Sequence, residues 1–291
     1  MSLLFEYNFA SHYLELGDGR LHYLDEGAGE VVVLVHGNPT WSYYYRNLVK
    51  LLSRKFRVIV PDHLGCGLSD KPLDFDYTLE NHINNLLLLL ENLGIEKTSM
   101  VLHDWGGPIG LGTAAAETIE LEQLVLLNTA AFRSTRIPFR IRICRWPFIG
   151  KFLVQGLNGF AGAAIFMAVE KKMAKEVAKG YLKPYDNWNH RLAVYEFVKD
   201  IPLDSAHRSY ATLVRIEESL ETLRKRRVPA AIFWGAKDFC FNDYFYEQWK
   251  DRLPHAEHHY FKDWGHYVLE DGKGRIEPVI DEFLSQEREA R

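Results

Sequence analysis

Short apolar runs and longer amphipathic ones alternate along most of this chain. Residues 31–35, 57–60, 98–102, 124–127, 230–234 and 257–261 are brief, rich in β-branched and aromatic residues, and bounded by turn formers, which predicts strands. Residues 21–25 read as a further strand. Between them, helices are expected over 41–54, 108–116, 243–253 and 276–284. Thr78 can cap a Leu-rich helix running to Leu93, with Gly94 as its stop signal. Strands alternating with helices imply an α/β fold with a mostly parallel sheet covered on both faces. From Ala130 to about Leu223 the strand pattern vanishes, and arginines (Arg133, Arg136, Arg140, Arg142, Arg145) mix with aromatics at helical spacing. The expected organisation is therefore a core of residues 1–129 and 224–291 carrying a helical insertion at 130–223. Ligands of open α/β sheets bind beyond the carboxyl ends of the strands, so an insertion there roofs the site.

Composition narrows the classes. With 291 residues, 47% of them hydrophobic, the chain can build one large core with an inserted subdomain. A net charge of −4 gives no reason to expect nucleic acid or an anionic surface as partner. Three cysteines, Cys66, Cys144 and Cys240, are too few for a disulfide framework, and a reducing cytoplasm follows. The first residues lack a basic region and soon reach Glu6, which argues against a secretory signal. Residues 152–169 approach membrane-spanning length, but Gln155 and Asn158 interrupt them. They are expected to form a buried or roofing helix pair, with peripheral membrane contact left open.

Candidate chemistry centres on Asp104. In Val101-Leu102-His103-Asp104-Trp105-Gly106-Gly107 an apolar run stops and a Gly-rich helix begins, and such a strand–turn–helix carries a nucleophile at its apex. Most enzymes of this kind place Ser there. A carboxylate that attacks carbon forms an ester, which a second step with activated water must break. Asp238 follows a strand directly, and His266 lies in the loop after the last one, giving the order nucleophile, acid, histidine. His266 would deprotonate water, so activity should rise with pH through its pKa, while Asp238 orients the ring and stabilises the imidazolium. The acid could also follow the preceding strand, but Asn128 stands there, and an amide cannot balance an imidazolium charge. Taken singly, each has an ordinary reading, as a helix cap or a satisfied polar residue; their order and strand-end placement select the catalytic one. Asn38 and Trp105 occupy the two oxyanion positions and can donate to a departing anion, halide or carboxylate. The structural alternative is that Trp105 packs under the insertion and Asn38 holds its turn. Gly65-Cys66-Gly67 lacks the third Gly of a dinucleotide fingerprint, His258 and His259 point to opposite faces of a strand, and Cys240 reads as a packed thiol. No metal, nucleotide or flavin is called for, and the substrate expected is small and apolar.

Three segments resemble the haloalkane dehalogenase branch of the α/β-hydrolases: His36-Gly37-Asn38-Pro39-Thr40-Trp41, the loop from Asp62 to Pro72, and His103-Asp104-Trp105-Gly106-Gly107. The likeness covers nearly the whole chain. It implies an eight-stranded sheet with a helical cap, Asp104, His266 and Asp238 as nucleophile, base and acid, and Asn38 and Trp105 binding the leaving anion. Leu102 departs from the usual elbow, where a small residue is the rule. Pro184-Tyr185-Asp186-Asn187-Trp188-Asn189-His190-Arg191, residues 197–203 and Asp238-Phe239-Cys240-Phe241 are similar to the subgroup that holds the β-lactone decarboxylases of bacterial olefin biosynthesis. That resemblance implies conversion of a cis-3,4-dialkyl-β-lactone to a cis-alkene and carbon dioxide, with attack at ring carbon or carbonyl left open, and partner enzymes that supply the lactone. Hydrolysis of an alkyl halide by the same five residues is the close alternative. Epoxide hydrolases would need paired tyrosines, for which Tyr181, Tyr185, Tyr195 and Tyr210 are available. A catalytically silent ligand binder is the reading from another class.

Overall fold

The computed structural model describes residues 4–116 and 118–286. Eight strands, β1 (His12–Leu16), β2 (Gly19–Glu26), β3 (Val31–Val35), β4 (Arg57–Pro61), β5 (Lys97–Asp104), β6 (Glu120–Thr129), β7 (Ala230–Gly235) and β8 (Glu257–Phe261), form one sheet. Their order is β1-β2-β4-β3-β5-β6-β7-β8. β1 with β2 and β2 with β4 pair antiparallel, and every later pair is parallel. The two-residue period of a strand divides each buried strand between two cores. Val33, Val35, Leu102, Leu126 and Ile232 face α2 (Leu79–Asn92), α3 (Gly106–Ala114) and α10 (Asp243–Arg252). Their neighbours Val32, Leu34, Val101, Val125 and Phe233 face α1 (Arg46–Leu52), α11 (Val268–Asp271) and α12 (Glu277–Leu284). Strands buried on both faces have no polar side to show, which is why their sequence reads as continuous apolar runs.

The capping expected of α2 is present: the Thr78 side chain accepts from the Asn81 N–H at 3.2 Å, and Gly94, at φ 65°, turns the chain away. Some expected elements shift. The helix expected from 41 opens as a 3₁₀ turn, Ser42–Tyr45, before α1. α3 starts two residues ahead of Pro108, and β6 extends beyond 124–127 at both ends. β1, an edge strand that buries no side chain completely, is not among the expected strands.

Between β6 and β7 the chain makes helices only: α4 (Phe139–Cys144), α5 (Ile149–Lys151), α6 (Gly159–Met167), α7 (Lys175–Leu182), α8 (Leu192–Lys199) and α9 (Tyr210–Lys225). α9 returns to the sheet, burying Ile216, Leu220 and Leu223 with α2 and α3. The arginine-bearing stretch forms neither helix nor strand up to α4, and α4 buries none of its residues. A π-helical turn, Phe152–Gly156, links α5 to α6, and this expected helix pair bends by 68°. Among the described residues no single helix is long and apolar enough to cross a membrane.

Candidate active site

β5 delivers Asp104 to the site at φ 52°, a left-handed conformation rare for residues with a side chain. Two glycines make the bend possible. A Cβ on Gly106 would stand 2.0 Å from the Val35 carbonyl oxygen, and one on Gly37 would stand 2.1 Å from Asp104 Oδ1. The Thr129 hydroxyl donates to the Asp104 carbonyl, and the Trp249 indole N–H holds the Thr129 carbonyl at 2.7 Å. Leu102 is accommodated because Gly110 faces it: a Cβ there would meet a Leu102 methyl at 2.3 Å. Volume added on the strand is removed from the helix.

Around this bend the three expected groups converge. Asp104 Oδ1 accepts the Asn38 backbone N–H at 2.6 Å, and the Trp105 N–H is its second backbone donor. His266 Nε2 lies 3.7 Å from Asp104 Oδ2, and His266 Nδ1 is 2.7 Å from Asp238 Oδ2. The first distance is too long for a hydrogen bond, and the second is that of a charge-assisted one. Asp238 is further held by the Cys240 N–H at 2.7 Å and by Asn128 Nδ2 at 3.0 Å. Asn128, itself at φ 31°, also pairs with both backbone groups of Gly235. Behind the imidazole, His103 Nε2 donates to the His266 carbonyl at 3.0 Å, while its ring stacks on Tyr44.

Burial dominates the electrostatics. It pushes the Asp104 carboxyl above its ordinary range, against the opposing pull of His266 and the two backbone donors. Burial alone would depress His266, but the Asp238 charge and hydrogen bond, reinforced by Asp104, hold it above the usual histidine value. His103 is driven well below that value by burial and by the nearby His266, so it stays neutral. Burial also raises the Cys240 thiol, which keeps its proton, as a packed thiol would.

The two expected anion donors differ in how they are engaged. Trp105 lines the site with its ring 5.3 Å from Phe197, so it both packs under the insertion and faces the cavity. The Asn38 side chain is partly committed elsewhere: Nδ2 donates to the Val194 carbonyl of α8 at 3.1 Å. Only its second N–H is left for a ligand. The buried Oδ1 of the same group has no partner.

Asp104, His266, Asn38 and Trp105 all face a cavity of about 340 Å³ walled by Phe132, Phe160, Ala164, Met167, Val198 and Leu213. The wall is overwhelmingly apolar, as a site for an alkyl substrate requires. None of Tyr181, Tyr185, Tyr195 and Tyr210 lines it. Tyr181 donates instead to Glu270 at 2.6 Å and Tyr185 to the Thr40 carbonyl at 3.4 Å, which removes the paired tyrosines an epoxide hydrolase would need. Sequence reasoning missed Gly37, His103, Thr129 and the part Asn128 plays; each acts through a contact distant in sequence.

Comparison with known proteins identifies the family. The family model described as alpha/beta hydrolase fold matches residues 30–273. A cis-3-alkyl-4-alkyloxetan-2-one decarboxylase of Shewanella oneidensis is 43% identical, covering 96% of this chain and 89% of its own. One from Xanthomonas campestris is 40% identical, with 96% and 97% covered. Haloalkane dehalogenase 2 of Mycobacterium bovis is 30% identical over 95% of each chain. Among solved structures, haloalkane dehalogenase DbeA from Bradyrhizobium elkani shares the fold with a TM-score of 0.86 at 22% identity, covering 96% of this chain and 98% of that one. With a carboxylate at the elbow and relatives of both kinds over at least 95% of its length, the chain belongs to the α/β-hydrolase fold family, in the group of enzymes that includes the haloalkane dehalogenases and the cis-3-alkyl-4-alkyloxetan-2-one decarboxylases.

Proposed function

We propose that the protein is a cis-3-alkyl-4-alkyloxetan-2-one decarboxylase that forms a covalent intermediate on Asp104. The observation that carries this reading is the carboxylate at the bend, 3.7 Å from His266 at the wall of an apolar cavity, in a chain 43% identical to an enzyme of that name. Asp104 acts as nucleophile, Asp238 and His266 as its acid–histidine pair, and Asn38 and Trp105 as anion donors. Residues 130–223 form the cap over a core of 1–129 and 224–291. The enzyme works in the cytoplasm on a lactone supplied by an upstream enzyme.

Stereochemistry selects the carbon attacked. An Asp104 oxygen displaces the ring oxygen from the alkyl-bearing ring carbon, and the C–O electron pair leaves with the new carboxylate, next to Asn38 and Trp105. Inversion sets the new ester bond antiperiplanar to the bond that carries the carboxylate. Loss of carbon dioxide then sends that pair into the C=C bond, and the ester pair returns to Asp104. Inversion followed by anti fragmentation turns a cis-lactone into a cis-alkene, and no water is consumed. Attack at the carbonyl would give an anhydride whose hydrolysis yields a hydroxy acid, with no route to alkene. His266, held above its ordinary pKa beside Asp104, stabilises the returning carboxylate as the imidazolium.

Alkyl halide hydrolysis is the second reading, favoured by the 30% identical dehalogenase and by the same donor pair. There His266 must be neutral and take a proton from water. Purified protein given a synthetic dialkyl β-lactone should release cis-alkene, and 1-bromoalkanes should release little bromide. Brisk bromide release with no alkene would reverse the assignment.

A further inference from the structure

Charge is distributed unevenly in this chain. From Gln123 to Val169 there is no acidic residue, while Arg133, Arg136, Arg140, Arg142, Arg145 and Lys151 all fall within it. A protein of net charge −4 thus gathers six cations in one acid-free stretch. That stretch contains α4, α5, the π-helical turn and α6, which contact one another in sequence. It also exposes half of the large apolar side chains that stand in solvent among the described residues, Phe139, Trp146, Phe148, Phe152, Leu157 and Phe166 among them. Phe148 is 88% exposed and sits at φ 62° between α4 and α5, so neither burial nor backbone preference accounts for it. Glu217 pairs with Arg133, and Asp200 and Asp204 lie near Arg145, but Arg140, Arg142 and Lys151 stand beside the exposed aromatics, and an apolar surface of this extent edged mainly by cations marks an interaction face.

Two occupants can be separated by charge. Arg133 is neutralised by Glu217 of α9, but a second copy of the chain docking on the same face would still bring its own five remaining cations against these, a repulsive pairing in any symmetric dimer. A bilayer carrying anionic phospholipid meets both halves of the surface: aromatic side chains enter the headgroup–acyl boundary, and arginine and lysine heads reach phosphates. α5 with the π-helical turn and α6 is together long and apolar enough for a membrane span, but only as two pieces bent by 68°. Such a pair suits lying in the interface. Arg136, Arg140, Ile141 and Cys144 line both this face and the cavity, so the cavity opens here.

We infer that the α4–α6 face docks the protein on an anionic phospholipid bilayer, with the cavity mouth turned toward the lipid. Docking itself does not depend on the proposed reaction; the consequence that a long-chain apolar substrate enters from the lipid phase does.

Flotation of the full chain with vesicles tests this without substrate, so its outcome is separate from that of the product assay. At low salt the protein should float with mixed phosphatidylglycerol–phosphatidylcholine vesicles and far less with phosphatidylcholine alone, and added salt should release it. Phe148→Ser with Phe152→Ser, and separately Arg142→Gln with Lys151→Gln, should each weaken partitioning by about tenfold or more, with an unchanged circular dichroism spectrum. Brominated lipid should quench tryptophan fluorescence, and Trp146→Phe should reduce that quenching, leaving the share that comes from Trp188, which is also exposed beside Lys151. Absence of flotation on the mixed vesicles, or flotation that both double variants leave intact, would overturn the inference. So would a lipid-free complex with a second copy or another protein that Phe148→Ser with Phe152→Ser dissolves.

Discussion

Gly37→Ala tests whether the Asp104 carboxylate works where it lies. The added methyl group would fall 2.1 Å from Asp104 Oδ1 and 2.3 Å from its Cβ, whereas ordinary contact begins near 3.4 Å. Something must give by about 1.3 Å, and neither route spares the site. If the carboxylate swings away, it leaves the Asn38 N–H that it now meets at 2.6 Å; if the loop retreats, that donor leaves with it. A 1 Å misplacement of a reacting group costs about 10²-fold, and loss of one backbone donor about 10²–10³-fold. Because both arise from one displacement they do not multiply, so kcat should fall by about 10²–10³-fold, equivalent to about 3–4 kcal/mol of barrier. Overpacking should destabilise the fold by about 1–3 kcal/mol, a loss that leaves most of the protein folded at 25 °C. The assay is alkene release from saturating dialkyl β-lactone, run beside a thermal melt. A folded variant with kcat within threefold of the parent would refute the placement of the nucleophile.

Other expectations follow from the same geometry. Lactone fragmentation needs Asp104 ionised and His266 protonated, so the rate should rise as pH passes up through the raised Asp104 value and fall as it passes up through the raised His266 value. A lactone rate that only climbs through the histidine limb, as water activation demands, would remove the imidazolium from the mechanism. A single turnover in ¹⁸O-water should leave the Asp104 carboxylate unlabelled with lactone; label in Asp104 would show ester hydrolysis. Asp238→Asn removes the charge 2.7 Å from His266 Nδ1 and should cost about 10³–10⁴-fold in kcat, with the alkaline limb moved to lower pH. Far from the site, Arg46 is buried and bonded to Glu270 at 2.5 and 3.1 Å, so Arg46→Met strands a nearly buried carboxylate. It should lower stability by about 3–5 kcal/mol in urea unfolding; a loss below 1 kcal/mol would mean that the ion pair is replaceable.

Legibility tracked the range of the interactions involved. β3 and β8 were readable to the residue because their endpoints are set by local turn chemistry, and α2 because Thr78 and Gly94 mark it. Edge strand β1 was not read from the sequence, although it is buried no less than β8, the edge strand at the other end of the sheet, which was. The 62–72 loop read as a family signature, yet much of its content is structural: buried Asp62 accepts from His22 at 2.9 Å, Ser42 N–H at 2.7 Å and Leu68 N–H at 2.8 Å. Asp104, Asp238 and His266 could be proposed because strand ends bring them to one rim. Gly37 and His103 could not, since their importance lies in atoms that only the folded chain places beside them. Asn38 shows the limit in the other direction: the residue was found, but its grip on Val194 was not.

Asn128 and Asp238 touch at 3.0 Å from the tips of adjacent strands, an amide beside an acid. Codons for Asn and Asp differ by one nucleotide, so either seat can gain or lose its charge in a single mutational step. A descendant that passed through a doubly acidic state would hold two carboxylates around one histidine, and could discard either later. The seat of the carboxylate that pairs with His266 is thereby free to drift between strands over evolutionary time while the bend at Asp104 persists.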